Sequence, residues 1–268
     1  MQTKPFFWIA ILAILISCNS QKKENQDVAE VSTSRAEEPK ERILFVVSNQ
    51  HTYGTSDINA ANHFAEIVLA YDEFQKAGYE IDFVSPEGGA IPIGYLNTSD
   101  PIEKKYIYDF DFMDLLKTTK SPNEIDPSTY RAVYYGGGGA AMFGVPENQT
   151  IQNISMSIYE ENGGVVSAIC HGAAGLVNLK LKNGTYLYAG KKVNGFPDLF
   201  ERMDAAYYQE FPFSIEQTLM ERGGEYSYSQ EGWDNYFVVD GRLITGQDPT
   251  AAASVAQKVI EALKDKSL

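Results

Sequence analysis

The segment VVSAICHGAAG, residues 165–175, decides the fold. An apolar run typical of a buried strand leads into a Cys-His pair, and small residues then open a helix. This order predicts a sharp strand-to-helix turn at one end of a parallel sheet, with Cys170 at the turn. A helix N-terminus offers unpaired N–H groups and a partial positive charge, which stabilise a thiolate. The pattern therefore predicts a reactive cysteine, and the alternative is a cysteine buried in a strand core.

Alternating strand and helix patterns surround this turn. Continuous apolar runs predict buried parallel strands, and amphipathic or alanine-rich segments between them predict helices. The strand segments are 43–48, 81–85, 131–135 and 165–169, and the helix segments are 63–77, 147–162, 212–222 and 249–264. An Asp240-Gly241 turn predicts a hairpin, residues 187–196 predict a second hairpin or strand pair, and residues 86–127 predict an inserted excursion. The order predicts an α/β fold with a doubly wound, mainly parallel sheet and helices on both faces.

The N-terminal residues have the composition of an export signal and a linker. An apolar run over residues 6–16 is followed by Ser17-Cys18, and Leu15-Ile16-Ser17-Cys18 resembles the bacterial lipobox. An ordinary cleaved signal is the alternative. Residues 19–41 contain few large apolar side chains and cannot form a core. We therefore expect a lipoprotein signal with lipidated Cys18 over residues 1–18, a flexible tether over 19–41, a folded domain over 42–268, and lipid anchoring in a bacterial cell envelope.

Charge and cysteine count exclude several classes of protein. The formal net charge is -14 at pH 7, whereas nucleic-acid binding requires a basic surface. The two cysteines, Cys18 and Cys170, are too few for a disulfide-stapled scaffold. We expect no nucleic-acid partner.

Three segments just beyond predicted strand ends form a candidate site, because open α/β sheets bind ligands there. They are the His51 loop, the glycine run 136–139 and Cys170. The glycine run lacks the Gly-Lys-Ser/Thr of a phosphate-binding loop, so it is better suited to bring N–H groups to an oxyanion or simply to form a turn. Glu66, on the helix after the first strand, could accept the thiol proton or face solvent instead.

These motifs together resemble a known family. Residues 168–172 (AICHG) and 135–139 (YGGGG) resemble the PfpI branch of the class I glutamine amidotransferase-like superfamily. Residues 62–66 (NHFAE), 77–86 (AGYEIDFVSP) and 240–249 (DGRLITGQDP) are similar to its heat-shock chaperone and glutathione-independent glyoxalase group. The resemblance covers essentially residues 42–263 and implies a flavodoxin-like fold.

The resemblance also implies roles for individual residues. Cys170 matches the family nucleophile, His171 the adjacent histidine, and Glu66 the acid that contacts the thiol. The N–H groups of Gly137 and His171 match the oxyanion-binding position, and Asp198 matches the acid that orients the histidine in some members. The implied reaction converts a small carbonyl substrate, a 2-oxoaldehyde such as methylglyoxal, into a 2-hydroxy acid, without metal or organic cofactor.

Two departures from the family pattern concern histidines. The family often has histidine where this chain has Gly138. Some chaperone members bind a metal through a pair similar to His63 and Glu66 together with a distant second histidine, which this chain lacks in residues 86–127. We therefore expect no metal. Relatives are often dimers, so the resemblance implies a homodimer.

Two further functions remain open at the level of sequence. The chain could be a stress chaperone of the holdase type in which Cys170 senses oxidation, because an exposed thiolate oxidises readily. It could also be a cysteine hydrolase, namely a peptidase, amidase or deglycase, in which His171 is held by a partner such as Asp198. Loss of Glu66 should abolish glyoxalase activity and leave holdase activity intact.

Overall fold

The strands of the central sheet are the apolar runs identified above. The computed structural model describes residues 40–265. In chain order the strands there are β1 Arg42–Val46, β2 Asn62–His63, β3 Glu80–Val84, β4 Ile93–Gly94, β5 Tyr130–Tyr135, β6 Val165–Ile169, β7 Lys192–Val193, β8 Glu225–Tyr226, β9 Phe237–Asp240 and β10 Leu243–Gly246. The α-helices are α1 Phe64–Lys76, α2 Pro101–Ile107, α3 Phe110–Lys117, α4 Gln149–Glu160, α5 Ala206–Gln209, α6 Ile215–Glu221 and α7 Ala252–Lys264.

Six of these strands form one sheet in the order β3-β1-β5-β6-β10-β9. All neighbours pair in parallel except β9 and β10, which form the antiparallel hairpin that the Asp240-Gly241 turn predicts. From β1 the chain adds β3 on one side of the sheet and then β5, β6 and β10 on the other side, which is the strand order of a doubly wound fold. The predicted fold class is confirmed.

Alternate residues of β1 supply the two layers of the core. Ile43 and Phe45 point to the face covered by α1 and α7, and Leu44 and Val46 point to the face covered by α4 and α6. All four side chains are essentially inaccessible to water. Because both faces are covered, the strand is apolar at every position, which explains why its sequence shows no alternation.

The structure adds detail to one predicted connecting segment, residues 86–127, and contradicts the hairpin predicted in another, residues 187–196. The excursion 86–127 contains β4, α2 and α3 and packs against α1. The hairpin predicted over residues 187–196 is wrong, because only β7 is a strand there and it pairs in parallel with the distant β8. Leu187 and Tyr188 are instead buried in the core, where the Tyr188 hydroxyl donates to the Val177 carbonyl, 2.9 Å away.

The predicted signal segment with Cys18, and almost all of the tether, lie outside the described residues. Within residues 40–265, none of the helices has the length and apolar character needed to span a bilayer.

Candidate active site

Cys170 lies directly after β6, at the edge of the sheet where the carboxyl ends of the parallel strands meet. Its φ angle is +55°, and only 3% of the residue is exposed. A left-handed conformation in a residue other than glycine costs roughly 1–3 kcal/mol and is concentrated at functional sites. The helix that follows, Cys170–Leu176, is a 3₁₀ helix and not the α-helix whose dipole the sequence predicts as the stabiliser of a thiolate.

The small residues after Cys170 allow this turn to rest on the end of β5. A Cβ atom on Gly172 would lie 2.3 Å from the Tyr135 carbonyl oxygen, and one on Gly175 would lie 2.3 Å from the Tyr135 ring. Any larger residue at either position would push the turn, and with it the thiol, away from the sheet.

Glu66 occupies the first turn of α1 and is completely buried. Its Oε2 accepts a hydrogen bond from the Gly137 N–H, 2.8 Å away. Its Oε1 has no hydrogen-bond partner among the described residues. The expectation that the Gly137 N–H binds an oxyanion is therefore wrong for this structure, because that N–H already holds Glu66.

Burial controls the protonation of Glu66 and Cys170. Removal from water raises the pKa of Glu66 to about 8, although contacts with Cys170 and the Gly137 N–H oppose this shift. Burial likewise raises the pKa of the Cys170 thiol, and a charge on Glu66 would raise it further. Near neutral pH the Glu66 carboxyl therefore holds a proton, so that no second negative charge opposes formation of a thiolate.

His171 connects the thiol to a carboxylate. The His171 Nδ1 lies 3.4 Å from the Cys170 Sγ, and its Nε2 lies 2.7 Å from the Glu201 Oε1. If Glu201 is ionised it can only accept, so the imidazole carries its proton on Nε2 and presents the Nδ1 lone pair to the thiol. The Phe196 ring stacks on the imidazole with centroids 4.8 Å apart.

Asp198 does not orient His171, which corrects the sequence-based expectation. Both of its carboxylate oxygens accept from the Ser214 hydroxyl, at 2.9 and 2.8 Å. The 3₁₀ turn Asp198–Phe200 directs this side chain toward α6, and the acid that follows the turn, Glu201, takes the position beside the histidine.

A cavity of about 540 Å³ opens above Cys170 and His171. Aromatic side chains form most of its wall, with Glu201 and Arg202 also present; the rings are Tyr53, Tyr95, Phe196, Phe200, Tyr207, Phe211 and Trp233. Glu66 is not part of this lining, because it lies beneath the thiol. The cavity is in the size range typical of small-molecule sites.

Within residues 40–265, no three or more His, Cys, Asp and Glu side chains are grouped so that they could hold a metal ion. Glu66 has one oxygen on the Gly137 N–H, and the His63 ring stacks on Tyr95. His51 is exposed and borders a different surface depression, so its loop contributes Tyr53 to the cavity instead.

The sequence does not reveal the roles of Glu201, Tyr53, Tyr207 and Phe211. Tyr53 and the segment 201–211 are far apart in the chain and far from Cys170, and only the fold brings them together there. The one available signal is the acid three positions after Asp198, close enough to occupy the same site.

Comparison with known proteins shows the family of this chain. The DJ-1/PfpI family profile matches residues 60–262. The chain is 31% identical over 239 residues to the glutathione-independent glyoxalase HSP31 of Saccharomyces cerevisiae, covering 85% of this chain and 99% of that one. It is also 31% identical over 236 residues to glyoxalase 3 of Candida albicans, covering 83% and 98%.

Solved structures give the same result. The Rapid Encystment Protein 24 kDa of Francisella tularensis superimposes with a TM-score of 0.78 at 30% identity, over 84% of this chain and all (100%) of the other. Glyoxalase III from Candida albicans superimposes with a TM-score of 0.74 at 28% identity, over 83% of this chain and 97% of the other. The chain belongs to the DJ-1/PfpI family, and within it the chain is similar to the HSP31 and glyoxalase III proteins.

Replacement of Glu66 by glutamine should change how stability depends on pH. An unfolded glutamate ionises near its ordinary value of 4.5, whereas folded Glu66 does so near about 8. Between these values the unfolded state binds fewer protons, so stability falls as pH rises and then levels off. One pH unit of difference in pKa corresponds to about 1.4 kcal/mol, so the loss should reach several kcal/mol.

The measurement is urea unfolding of wild type and Glu66→Gln from pH 5 to pH 9. The difference between the two proteins cancels the contributions of other groups, such as His63. We expect the free energy of unfolding of the variant, relative to that of wild type, to rise steadily up to pH 8. A difference that does not change with pH would show that Glu66 is ionised throughout.

The two acids near His171 should differ in their effect on the thiol. We expect Glu201→Gln to slow alkylation of Cys170 by iodoacetamide about tenfold or more, since a hydrogen bond to a charged group is worth roughly 1.5–3 kcal/mol. Asp198→Asn should leave the rate within about twofold, as substitutions outside such networks do. The rate constants are measured at pH 7 by mass spectrometry, and a slower reaction only in Asp198→Asn would reverse the assignment.

Proposed function

We propose that this protein is a glutathione-independent glyoxalase that converts 2-oxoaldehydes of the methylglyoxal type into 2-hydroxy acids. The observation that carries the proposal is the cavity with Cys170 at its base, where the thiol meets both a buried protonated carboxyl and an imidazole held by a carboxylate. The similarity to proteins named as glutathione-independent glyoxalases supports it.

The reaction begins with attack of the Cys170 Sγ on the aldehyde carbon. A C–S bond forms, the C=O double bond becomes a C–O single bond, and the thiol proton passes to the His171 Nδ1, 3.4 Å away. Glu201 stabilises the imidazolium that results, because its carboxylate accepts from Nε2. The imidazolium then returns this proton to the new alkoxide oxygen, which gives a hemithioacetal and a neutral His171 that can act as a base again.

A proton then moves between the two carbons of the substrate. Transfer of the proton from the former aldehyde carbon to His171 gives an enediolate, and the hydroxyl proton on that carbon moves to the neighbouring oxygen. Return of the proton from His171 to the neighbouring carbon then gives a thioester. His171 borders the cavity beside Cys170 and is therefore placed to move this proton, whereas Glu66 is completely buried and does not border the cavity. Water then attacks the thioester, the C–S bond breaks, the thiol regains its proton, and the 2-hydroxy acid leaves.

The N–H groups of Gly138 and Gly139 are candidates for stabilising the oxyanions of these steps. Both residues border the cavity. Within the glycine run, the Gly136 N–H donates to Val46 and the Gly137 N–H to Glu66, so neither of these serves the substrate. Preorganised donors aimed at developing charge are among the largest contributions to catalysis.

A cysteine hydrolase is a second candidate, and one observation favours it. The Cys170, His171 and Glu201 side chains form a connected nucleophile, base and acid, the arrangement used for acyl transfer. Hydrolysis of a thioester and hydrolysis of an amide use the same nucleophile, base and acid. The two functions therefore differ in the substrate that the cavity binds.

Formation of D-lactate from methylglyoxal without glutathione tests the proposal. We expect wild type to form D-lactate, Cys170→Ala to form none, and Glu66→Gln to lose most of the activity because an amide cannot exchange a proton with the sulfur beside it. Asp198→Asn is the matched control and should retain activity. Wild type that forms no product while Cys170 still reacts with iodoacetamide would contradict the glyoxalase function and favour hydrolysis or redox sensing.

We further propose that the protein is anchored to a bacterial membrane through lipid on Cys18. The support is the lipobox-like segment Leu15-Ile16-Ser17-Cys18 after an apolar run. Expression of wild type and Cys18→Ala in a bacterium, with labelling by radioactive palmitate, tests this. We expect label and membrane association only in wild type, and an unlabelled wild-type protein would rule out the anchor.

A further inference from the structure

A second polar cluster borders the same cavity as Cys170. The cluster consists of His63, Tyr95 and Tyr53. The His63 and Tyr95 rings are parallel, with an interplanar angle of 0° and centroids 4.7 Å apart. The Tyr95 and Tyr53 hydroxyls lie 3.0 Å apart. Tyr95 has a φ of +60°, a conformation that residues other than glycine adopt at a cost and that is frequent at functional sites.

The backbone of His63 is fixed from two sides. Its N–H donates to the Gly137 carbonyl, 2.9 Å away, within the run that also holds Glu66. The preceding Asn62 is completely buried, and its amide bonds to Ser48 and to the Pro92 carbonyl at 2.8–2.9 Å. His63 is therefore held in place for reasons that do not involve its own side chain.

Gly138 makes room for the segment that carries His63. Its φ is +93°, and a Cβ atom there would lie 2.4 Å from the Ala61 carbonyl oxygen and 2.5 Å from the His63 nitrogen. Only glycine permits this approach. A side chain at position 138 would displace the segment that places the His63 imidazole at the cavity wall.

The imidazole has an unused hydrogen-bonding group. The His63 Nδ1 is buried and has no partner among residues 40–265. Burial lowers the pKa of His63 to about 4, with a smaller contribution from His171, so the ring is neutral near pH 7 and has one N–H donor and one acceptor. Nδ1 has no accessible surface, so the nitrogen that a ligand in the cavity can meet is Nε2, which also has no partner among residues 40–265 and is not enclosed.

We propose that His63 is a substrate-binding residue that donates its ring N–H to the carbonyl oxygen adjacent to the carbon that Cys170 attacks. The substrate class is therefore an electrophile with a carbonyl directly beside the reacting carbon. This inference depends on the proposed function in one respect only, which is that the electrophile is a 2-oxoaldehyde. In that reaction the same oxygen gains negative charge as the enediol forms, so the hydrogen bond strengthens as the reaction proceeds.

Two thiol reagents distinguish a hydrogen bond from His63 to the carbonyl from an effect of His63 on the reactivity of the Cys170 sulfur. In iodoacetamide the carbon that the sulfur attacks lies beside a carbonyl; the S–C bond forms as iodide leaves, and the thiol proton passes to His171. In 2,2′-dithiodipyridine the sulfur attacks a disulfide, releases pyridine-2-thione, and meets no carbonyl. The ratio of the two rate constants reports the hydrogen bond, because any change in the thiol affects both reactions.

The experiment measures this ratio at pH 7 for full-length wild type and three variants. His63→Phe retains a ring against Tyr95 and removes the donor, and His63→Gln restores an N–H donor. His51→Phe is the matched control, since His51 is exposed and lies outside the cavity. We expect the ratio to fall about tenfold in His63→Phe, the value of a single hydrogen bond, to recover in part in His63→Gln, and to stay unchanged in His51→Phe.

An unchanged ratio in His63→Phe would overturn the inference and leave His63 as a packing residue. The result does not depend on turnover of a 2-oxoaldehyde. A wild type that forms no D-lactate but shows the expected fall in ratio would contradict the proposed function and support the role of His63.

Discussion

The complete burial of the Glu66 carboxyl is the constraint on which the chemistry of the site depends. Helix α1 brings this side chain under the end of the sheet, and the Tyr134 hydroxyl donates to the Glu66 carbonyl oxygen at 2.8 Å, which holds the backbone there. The carboxyl receives one protein N–H, from Gly137, and no water-exposed surface. An ionised carboxylate with so little solvation is costly, so the group keeps its proton to a pH of about 8. A pKa near the working pH suits a group that shares a proton with a nucleophile.

Close approach of backbone segments makes this arrangement possible. A Cβ atom on Gly137 would lie 2.4 Å from the Glu66 Oε2, one on Gly138 would collide with the segment that carries His63, and one on Gly172 would collide with Tyr135. Three chain segments therefore meet at the thiol with no side chains between them. The result is that backbone groups and buried side chains pack around Cys170, which is only 3% exposed where it borders the cavity.

Much of this architecture could be predicted from the sequence, because strands covered on both faces are apolar throughout and a run of glycines marks the end of β5. Cys170 could be identified for the same reason, since the abrupt change from Ile169 to Cys-His-Gly marks the turn. Other features depend on distances that sequence patterns do not contain. Whether Asp198 or Glu201 meets His171 is decided by one 3₁₀ turn, and whether the Gly137 N–H is free is decided by how deeply α1 inserts. The parallel pairing of β7 with β8 joins segments that are far apart in the chain and leaves no local signal.

The protonation state of Glu66 can be observed directly by infrared difference spectroscopy of wild type minus Glu66→Gln across a pH series. The account predicts the C=O stretch of a protonated carboxylic acid in wild type at pH 7, replaced by carboxylate bands with a midpoint near the pKa of about 8. Carboxylate bands already present at pH 7, with a midpoint near the ordinary glutamate value, would contradict it. In that case the thiol would face a permanent negative charge, and the proposed division of work between Glu66 and His171 would fail.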